Sequence, residues 1–356
     1  MAYKMIPVQT EAHLETLRRM WIENSSYDTR TNVCARQRFE WLYQTSESSR
    51  TQTWLAVEDQ HEDVVGYGSV VRSDRYFRGH VIPAGLPAVF VVDRAHRLAA
   101  AALAIQRALL AGGSESGFEV MAAKPNDKSR PIVARVGYQL LGELVDWVKF
   151  IGGDGDLPER SGTTEYADEI VTVADARFDD LWHRAKDRFP MVAEQTAGFL
   201  NWRYSGFKEN YRFYCLLRKA DRQLLGYVVF YTMSNGAAIS QLFCEQPSGP
   251  ILDDLLLGFC ARMRAEGNFW VSVYYFGSSS FKDQIEHFGF VRRSHRRNFM
   301  AYLNPAMNPE WRTALLDENN WFFFGGEMDV MLHDEVWRDA STEVDQPVGQ
   351  DSGASA

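Results

Sequence analysis

The chain has 356 residues, enough for two domains of ordinary size that each bury a core. Apolar residues make up 46% and charged residues 24%, a balance typical of globular proteins rather than of disordered chains. The formal charge of −9 at pH 7 argues against a nucleic-acid partner that is held by its phosphates.

The sequence also bears on the compartment. The amino terminus, MAYKMIPVQTEAH, has no apolar stretch of signal-peptide length, and no window reaches the roughly 18 apolar residues that span a bilayer. The cysteines are Cys34, Cys215, Cys244 and Cys260, and their spacing is not that of metal ligands. We therefore predict a cytoplasmic protein with buried free thiols, no membrane partner and no metal.

The first half of the chain predicts strands and helices in a defined order. YKMIPV is a short strand, and helical stretches follow near residues 10–24 and 35–44. TWLAVED and VVGYGSVVR predict a hairpin, and LPAVFVV (86–92) predicts a strand buried on both faces. A helix over 97–111 is expected to stop at Gly112 and Gly113. FEVMAA, KSRPIVARV and GYQLLGELVDWVKF then predict a strand, a short helix and one or two closing strands.

The second half repeats this order after a polar linker, GGDGDLPERSGTTEY (152–166). LLGYVVFY (224–231) echoes VVGYGSVV (64–71), and EHFGF (286–290) echoes ARVGY (134–138), so an internal duplication is predicted. The basic run Arg292, Arg293, Arg296 and Arg297 is expected to form a solvated hairpin. The aromatic residues Trp21, Phe39, Trp41, Trp202 and Tyr204 are expected in the core, with the floor of a sugar-binding site as the alternative.

An arginine followed by an alanine run lies just after the long strand, in VDRAHRLAAAALAIQRALL (92–110). Helix N-termini present unpaired N–H groups and a partial positive charge, which suits an anion. Alanine forms helices well and permits close approach of a ligand, but it does not take a positive φ cheaply. These residues alone leave open whether this is a cofactor site or a plain helix start, and whether Arg97 contacts a phosphate or is a surface charge.

The order of elements over residues 4–150 resembles that of the GNAT acyltransferase superfamily. The family's loop reads Arg or Gln, two residues, Gly, one residue, then Gly or Ala. Arg97 and Ala102 fit this pattern, whereas Ala100 replaces the central glycine. Asn126 precedes the Gly137-Tyr138 pair by the family's spacing. The chain also resembles tandem GNAT proteins of bacterial polysaccharide biosynthesis, which implies a sugar amine or hydroxyl as acceptor.

The resemblance implies an α/β (α+β) fold of two GNAT-like domains, each a mixed, mostly antiparallel sheet flanked by helices. The implied boundaries are an N-terminal domain over 1–151, a linker over 152–166, a degenerate domain over 167–337 and a disordered tail over 338–356. It also implies acetyl-CoA or another acyl-CoA as co-substrate. The implied binding residues are Phe90, Val91, Val92, Arg97, Leu98, Ala99, Ala100, Ala101, Ala102 and Asn126.

The sequence departs from the family at several positions. Many family enzymes carry a Tyr that protonates the leaving thiolate, but here that position is Val133. In the second half it is Ile285, the Arg-containing loop is missing, and Asp253 and Asp254 near the helix start would repel a pyrophosphate. We therefore interpret the second half as a support or acceptor-binding domain.

No base stands out in the sequence. His80 is the candidate for the catalytic base because histidine titrates near neutrality, and Glu143 and Asp146 are the alternatives. The predicted function is direct transfer of an acyl group, with acetyl expected, from acyl-CoA to an amine or hydroxyl of a small polar acceptor. The alternatives are a catalytically silent GNAT-like binding protein and an aminoacyl-tRNA-dependent transferase, and the oligomeric state is left open.

Overall fold

The computed structural model describes residues 2–8, 10–24, 33–44, 50–59, 61–97, 99–115, 117–152, 165–205, 211–233 and 235–328. The strands of the first half are β1 (Tyr3–Pro7), β2 (Thr51–Glu58), β3 (Val64–Arg72), β4 (Arg75–Phe77), β5 (His80–Ile82), β6 (Ala84–Val92), β7 (Val120–Ala123) and β8 (Gln139–Phe150). Its helices are α1 (Thr10–Asn24), α2 (Val33–Tyr43), α3 (Ala99–Glu115) and α4 (Arg130–Arg135).

The second half repeats this order with additional short elements. Its strands are β9 (Tyr166–Val171), β10 (Met191–Ala193), β11 (Arg212–Arg218), β12 (Leu224–Thr232), β13 (Gly236–Cys244), β14 (Trp270–Gly277), β15 (Val291–Leu303) and β16 (Trp321–Phe324). Its helices are α5 (Ala176–Ala185), α6 (Ala197–Ser205), α7 (Pro250–Ala265), α8 (Ser279–His287) and α9 (Pro309–Ala314). Residues 153–164 of the predicted 152–166 linker lie outside the described residues, and so do all residues after 328, including the predicted tail over 338–356.

The two halves share one mixed, mostly antiparallel sheet. Its main path runs β1-β2-β3-β6-β7-β15-β8-β14-β13-β12-β11-β9. The closing strands are exchanged: β15 of the second half pairs with β7 of the first, while β8 of the first half pairs with β14. β8 and β15 also pair with each other in the centre. The predicted fold class is therefore confirmed, and the halves are joined through their closing strands.

Glycines at matching positions support the predicted duplication. Gly66 faces Val92 across the β3–β6 pair, and Gly226 faces Cys244 across the β12–β13 pair. A Cβ at either glycine would lie 2.6 Å from an atom of the opposite strand, so neither position has room for a side chain. Gly137 after α4 and Gly289 after α8 both have positive φ, as glycines that end helices commonly do.

The predicted end of α3 at Gly112 was wrong, because the helix continues to Glu115. A Cβ on Gly112 would lie 1.9 Å from the ring of Trp54 on β2. The glycine therefore lets the indole pack against the helix, at the modest cost of one glycine inside it. Its role is close approach of another element, which sequence alone does not distinguish from a helix stop.

The predicted hairpin at the basic run was also wrong. Arg292 to Arg297 lie inside β15, which pairs with β8 on both sides of a register shift between Arg292 and Arg296. Three of the guanidinium groups lie over aromatic rings of neighbouring strands: Arg292 over Trp147, Arg293 over Trp270 and Arg297 over Tyr274. Contact with the electron-rich faces of these rings lets cationic side chains occupy a central strand.

Other expectations about the core are confirmed. The side chains of Trp21, Phe39, Trp41, Trp202 and Tyr204 are all buried, and Trp41 Nε1 donates to the Trp202 carbonyl at 2.9 Å, joining α2 to α6. The thiols of Cys215, Cys244 and Cys260 are buried and free, whereas the Cys34 side chain lies outside the described residues. Within the described ranges, no helix has both the length and the hydropathy to cross a bilayer.

Candidate functional site

The candidate site begins where β6 and β7 separate. The two strands pair in parallel at Ala84 and Gly85, and within the described residues no further pair joins them. The other edge of β6 pairs with β3 as far as Val92. From Leu86 onward the edge of β6 that faces β7 therefore has no strand partner among the described residues. Backbone N–H and C=O groups on such an edge are available to an extended ligand.

A bulge interrupts β6 in the middle of this diverging part. Ser69 pairs with Val89 and Val70 with Pro87, so Ala88 is the extra residue of the bulge. Arg38 on α2 donates from Nη2 to the Ala88 carbonyl, and its Cζ lies 5.3 Å from the centre of the Trp21 ring. Because Arg38 is buried, this contact holds the bulge from the side of α2.

The loop after β6 is tied to the end of α1. Asp93 accepts from Ala95 N at 2.8 Å, and Arg94 N donates to Asn24 Oδ1 at 3.1 Å. Arg97 donates from Nη2 to the Asn24 carbonyl at 3.0 Å and from Nε to the Val92 carbonyl at 3.3 Å. Arg97 thus lies before α3, at the mouth of the separation between β6 and β7.

The first turn of α3 supplies the amides that point toward this loop. The first four N–H groups of a helix have no acceptor inside it, and in α3 they belong to residues 99–102. Ala100 is exposed and Ala101 is fully buried. The alanine run therefore starts an ordinary α-helix, and the alanines do not need positive φ. Leu98 and the side chain of Ala99 lie outside the described residues.

A second separation exists between β13 and β14. These strands pair in parallel from Gly236 to Ile239 and then diverge. Here β16 enters the gap and pairs with β14 at Tyr275 to Gly277. The 3₁₀ turn that follows, Gly325–Glu327, packs against β13, since a Cβ on Gly326 would lie 2.4 Å from the Ser240 carbonyl. We call β16 and this turn the C-terminal wedge.

Buried polar contacts hold the C-terminal wedge in place. Arg75 of β4 forms an ion pair with Glu327, with 2.6 Å between Nη1 and Oε2, and both side chains are buried. Burial raises the pKa of Glu327, and the charge of Arg75 opposes that rise. Arg203 of α6 donates to the Gly326 carbonyl at 2.7 Å and to the Met328 carbonyl. The second separation is therefore filled by the protein's own chain.

The sequence matches no protein-family model and no curated protein. Among solved structures, a conserved protein of unknown function from Enterococcus faecalis, named a probable N-acyltransferase, has a TM-score of 0.64 at 14% identity, covering 85% of this chain and 73% of that one. A GCN5-related N-acetyltransferase (GNAT) from Kribbella flavida has a TM-score of 0.59 at 16% identity, covering 85% and 71%. A tandem GNAT protein from the clavulanic acid biosynthesis pathway has a TM-score of 0.50 at 12% identity, covering 86% and 100%. The chain has the GNAT fold.

The predicted resemblance to tandem GNAT proteins is confirmed for the fold. The association with polysaccharide biosynthesis, the domain boundaries and the site residues stay predictions. In the GNAT fold of this chain, Phe90 and Val92 pack toward α3, and Val91 packs in the cluster of α1 and α2. The two sides of β6 are thus lined by different parts of the first half.

Asn126, just before α4, and Val133, in α4, both make contacts within the protein. Asn126 Oδ1 accepts from Lys128 N at 3.1 Å, from Ser129 N at 2.9 Å and from Ser129 Oγ at 3.0 Å. The Asn126 oxygen therefore shapes the turn that starts α4, as Asn side chains commonly do. Val133 is buried in the core together with Tyr138 and Met121. The position predicted to correspond to the family's thiol-protonating Tyr is thus an apolar core position.

His80 lies at the other end of β6. It is exposed on β5, and its ring centre is 4.8 Å from that of Trp311 on α9. The nine residues of β6 separate it from the loop at Arg97 by roughly 25 Å, at the rise of an extended strand. A role for His80 as base stays a prediction.

The alternative base Asp146 lies on β8 and is buried. Burial raises the pKa of Asp146 to about 6, and Arg293 offsets part of that rise. Desolvation outweighs the attraction because Arg293 Nη1 is 3.6 Å from Asp146 Oδ2 and its side chain is one-third exposed. In the described ranges, no group of three or more His, Cys, Asp or Glu side chains is placed to hold a metal ion.

Sequence reasoning did not single out Arg38. The only signal was its position one helical turn before Leu42, which places both side chains on the core-facing side of α2. A cation at a core position needs a partner, and here a bulge carbonyl 50 residues away in the chain provides it.

Proposed function

We propose that the first half is an N- or O-acyltransferase that moves an acyl group from acyl-CoA to an amine or hydroxyl of a small polar acceptor. The observation that carries this proposal is the separation of β6 from β7 beside the start of α3. A strand edge for an extended arm and helix-start amides for an anion lie next to each other there.

The residues fit acyl-CoA at two points. The edge of β6 from Leu86 to Val92, which has no strand partner among the described residues, offers backbone groups for the pantetheine arm. The Ala88 and Val92 carbonyls already accept from Arg38 and Arg97. The amides of residues 99–102 and the guanidinium of Arg97 supply donors for the pyrophosphate. A guanidinium has five N–H donors, so the two contacts of Arg97 to carbonyl oxygens leave others for phosphate. Ala100 is exposed and small, which permits close approach of a ligand.

Direct transfer suits the backbone groups that lie along the edge of β6. When bound, acyl-CoA would supply a thioester that reacts without a covalent enzyme intermediate. The acceptor nitrogen forms a bond to the carbonyl carbon, the C–S bond breaks, CoA leaves as the thiolate, and the proton lost by the amine passes to that thiolate or to solvent. The protein's part is to position the two reactants and to offer an N–H donor to the developing oxyanion. The bulge at Ala88, held by Arg38, turns the backbone of β6 in the middle of the free edge and is our candidate for that donor region.

The C-terminal wedge supports a single acyl-CoA site per chain. An arm entering between β13 and β14 would have to displace β16, whose four residues are fully buried. The second half therefore has a supporting role in this proposal, and α6 contacts α2 of the first half through Trp202 and Trp41. The burial of Val133 favours the rival function, a silent GNAT-like binding protein.

The test is calorimetric titration of CoA and acetyl-CoA into the protein, its Arg97→Glu variant and a matched Arg107→Glu control. Arg107 is exposed farther along α3, so its variant has the same change in charge away from the loop. We expect one-to-one binding that is weakened at least about tenfold by Arg97→Glu and kept by Arg107→Glu; one salt contact of about 1.4 kcal/mol suffices.

A second measurement separates the enzyme from the binding protein. Release of free thiol from acetyl-CoA in the presence of a panel of amines indicates transfer. CoA binding without thiol release under any acceptor supports the silent protein. Transfer that depends on charged tRNA and is abolished by ribonuclease supports the aminoacyl-tRNA alternative. Absence of CoA binding contradicts the proposed function.

A further inference from the structure

Four polar side chains meet on the central strands of the shared sheet. They are Asp146 on β8, Tyr274 on β14, and Arg293 and Arg297 on β15. Tyr274 lies directly opposite Asp146 in the β14–β8 pair. Arg293 Nη1 is 3.6 Å from Asp146 Oδ2, and Arg297 Cζ is 5.8 Å from the centre of the Tyr274 ring. We call this group the Asp146 cluster.

The cluster contains a buried acceptor and a buried donor whose hydrogen bonds are not made. The Tyr274 hydroxyl is hydrogen-bonded to the Asp146 carboxylate. Among the described residues, however, neither the individual atom Asp146 Oδ1 nor Arg297 Nε has a hydrogen-bond partner. Buried polar atoms in proteins are nearly always paired, so each unmatched atom needs a reason. A ligand that carries an acceptor for Arg297 and a donor for Asp146 would satisfy both atoms.

The charge of the cluster favours an anion. Two guanidinium groups face one carboxylate, so the cluster is positive even when Asp146 is ionised. The Asp146 side chain is 3% exposed and forms the floor, whereas Arg293 is 35% exposed. Solvent therefore reaches the cluster through its arginines. Trp270 flanks Arg293, with 5.9 Å between Arg293 Cζ and the ring centre.

The cluster lies beside the diverging part of β6 and β7. Met300 on β15 pairs with Ala123 at the end of β7, and Arg297 lies three residues farther in the direction in which β6 and β7 separate. β15 is adjacent to β7, and β8 is adjacent to β15. Across the sheet, at about 4.8 Å per strand, β15 and β8 lie roughly 5 and 10 Å from β7. Along the strands, at about 3.3 Å per residue, Arg297 lies roughly 10 Å beyond the end of β7 and Asp146, six residues after Leu140, roughly 20 Å beyond it. Arg297 is therefore the member of the cluster that lies nearest to the end of β7.

The cluster lies on one side of the sheet, away from α3. Asp146 shares a side of β8 with Leu144, because alternate residues of a strand point the same way. Leu144 packs with Leu86 and Phe299, whereas Met300, the neighbour of Phe299, packs in the core of α3. The Asp146 cluster is thus on the side of the sheet opposite α3, where the proposed pyrophosphate donors lie.

We propose that the Asp146 cluster binds an anionic group of the acceptor, a carboxylate or a phosphate, through Arg293 and Arg297. Asp146 accepts a hydrogen bond from a hydroxyl or ammonium group next to that anion. That the ligand is the acceptor rests on the proposed acyltransferase function, whereas anion binding at the cluster does not. The substrate class is then a small acidic molecule with its amine or hydroxyl roughly 10 Å from the acidic group.

Inorganic phosphate is the first probe. The midpoint of thermal unfolding is measured in 50 mM phosphate and in chloride of matched ionic strength. A millimolar site raises the midpoint by about 3 °C in phosphate. We expect Arg293→Gln and Arg297→Gln each to lose most of this rise. Arg292→Gln is the matched control, because Arg292 is on the same strand but packs over Trp147 on the opposite side of the sheet.

Each variant is measured in both phosphate and chloride, so the difference between its two unfolding midpoints remains informative even if the variant is less stable. Arg297→Lys, which keeps the charge, covers the case in which Arg297→Gln does not fold, and we expect it to retain part of the rise. Arg97→Glu tests whether phosphate instead occupies the α3 start, and we expect it to keep the rise. An equal rise in the Arg297 and Arg292 variants, or loss of the rise in Arg97→Glu, overturns the proposal.

Matched acceptors test the role in transfer. Thiol release from acetyl-CoA is compared between 6-aminohexanol and 6-aminohexyl phosphate, which differ only in the phosphate. We expect kcat/KM to be at least tenfold higher for the phosphate ester, and Arg297→Gln to bring the ratio near one while Arg292→Gln preserves it. Equal rates in the unmodified protein overturn the assignment of the anion as part of the acceptor. Failure of CoA binding with a retained phosphate effect overturns the proposed function and leaves the anion site standing.

Discussion

The two separations in the sheet, β6 from β7 and β13 from β14, derive from the same repeated order of elements and differ in what fills them. The first has no strand on the inner edge of β6 beyond Gly85 among the described residues. The second receives the C-terminal wedge, with β16 on β14 and the turn at Gly326 against β13. Duplicated backbone geometry thus carries the proposed acyl-CoA site in one copy and a packed core in the other.

The two halves also differ at the start of the helix that follows each separation, α3 in the first half and α7 in the second. In the first half Ala100 and Ala101 begin α3 without an acidic residue in the first turn. In the second half Asp253 is in the first turn of α7, and Gln284 of α8 donates to its Oδ1 at 2.5 Å. Gly249 N also donates to Gln284 Oε1 at 2.9 Å. The second helix start is therefore used for contacts inside the protein.

The largest expected effect comes from removing the ion pair of the C-terminal wedge. Arg75→Met leaves the Glu327 carboxylate buried without its cation, so we expect the free energy of unfolding to fall by about 3–5 kcal/mol. The double variant Arg75→Met/Glu327→Met removes both charges and should recover much of that loss. Chemical denaturation of the four members of this cycle measures the coupling. If the losses of unfolding free energy in the two single variants simply add in the double variant, the ion pair does not hold the wedge.

The next effect concerns pH and the Asp146 cluster. The pKa of Asp146 is raised to about 6 from 3.8, with Arg293, Arg297 and Tyr274 as its charged and titratable neighbours. The folded state then binds more protons than the unfolded state between these pH values, so stability decreases as pH rises through that window. A shift of about two units corresponds to at most about 3 kcal/mol lost between pH 4 and pH 7.

Asp146→Asn is the informative variant, because Asn298 lies nine residues after Gly289 as Asp146 lies nine residues after Gly137. The variant thus carries the residue of the second copy. We expect the free energy of unfolding of the variant to decrease less between pH 4 and pH 7 than that of the unmodified protein, because the titration of Asp146 is removed. Unfolding curves at both pH values check this, and an unchanged pH dependence in the variant would show that Asp146 has an ordinary pKa.

A smaller difference is expected between two glycines of the second half. Gly277 and Gly267 both have positive φ, at 142° and 85°. A Cβ on Gly277 would lie 1.9 Å from the Trp321 carbonyl of the wedge, whereas nothing lies within 4 Å of one on Gly267. We expect Gly267→Ala to cost about 1 kcal/mol for its conformation and Gly277→Ala about 2 kcal/mol more for the clash. Equal losses would indicate that the wedge yields without cost.

The smallest effect is an expected absence of change. If the wedge rather than helix-start charge excludes CoA from the second half, Asp253→Asn leaves the stoichiometry of CoA binding at one per chain. Calorimetry measures this directly. A second bound CoA in the variant would mean that the acidic residue alone distinguishes the two separations.

Much of the fold follows from the sequence, and less of the candidate site does. The repeat was readable because Gly66 and Gly226, and likewise Gly137 and Gly289, mark matching strand and turn positions. The start of α3 after Arg97 was readable from the alanine run. Arg38 and the Asp146 cluster could not be predicted from the sequence. The partner of Arg38 is a bulge carbonyl, and the cluster forms between strands that are distant in the chain.

The sequence by itself determined the order of strands and helices, the glycine turns and the burial of the large aromatic residues. These are decided by neighbouring residues, through periodicity, backbone conformation and apolar content. Only the tertiary structure decided the exchange of β8 and β15, the continuation of α3 past Gly112, and the filling of one separation by the C-terminal wedge. Each of these depends on contacts between distant segments, and local sequence does not encode which distant partner will pack there.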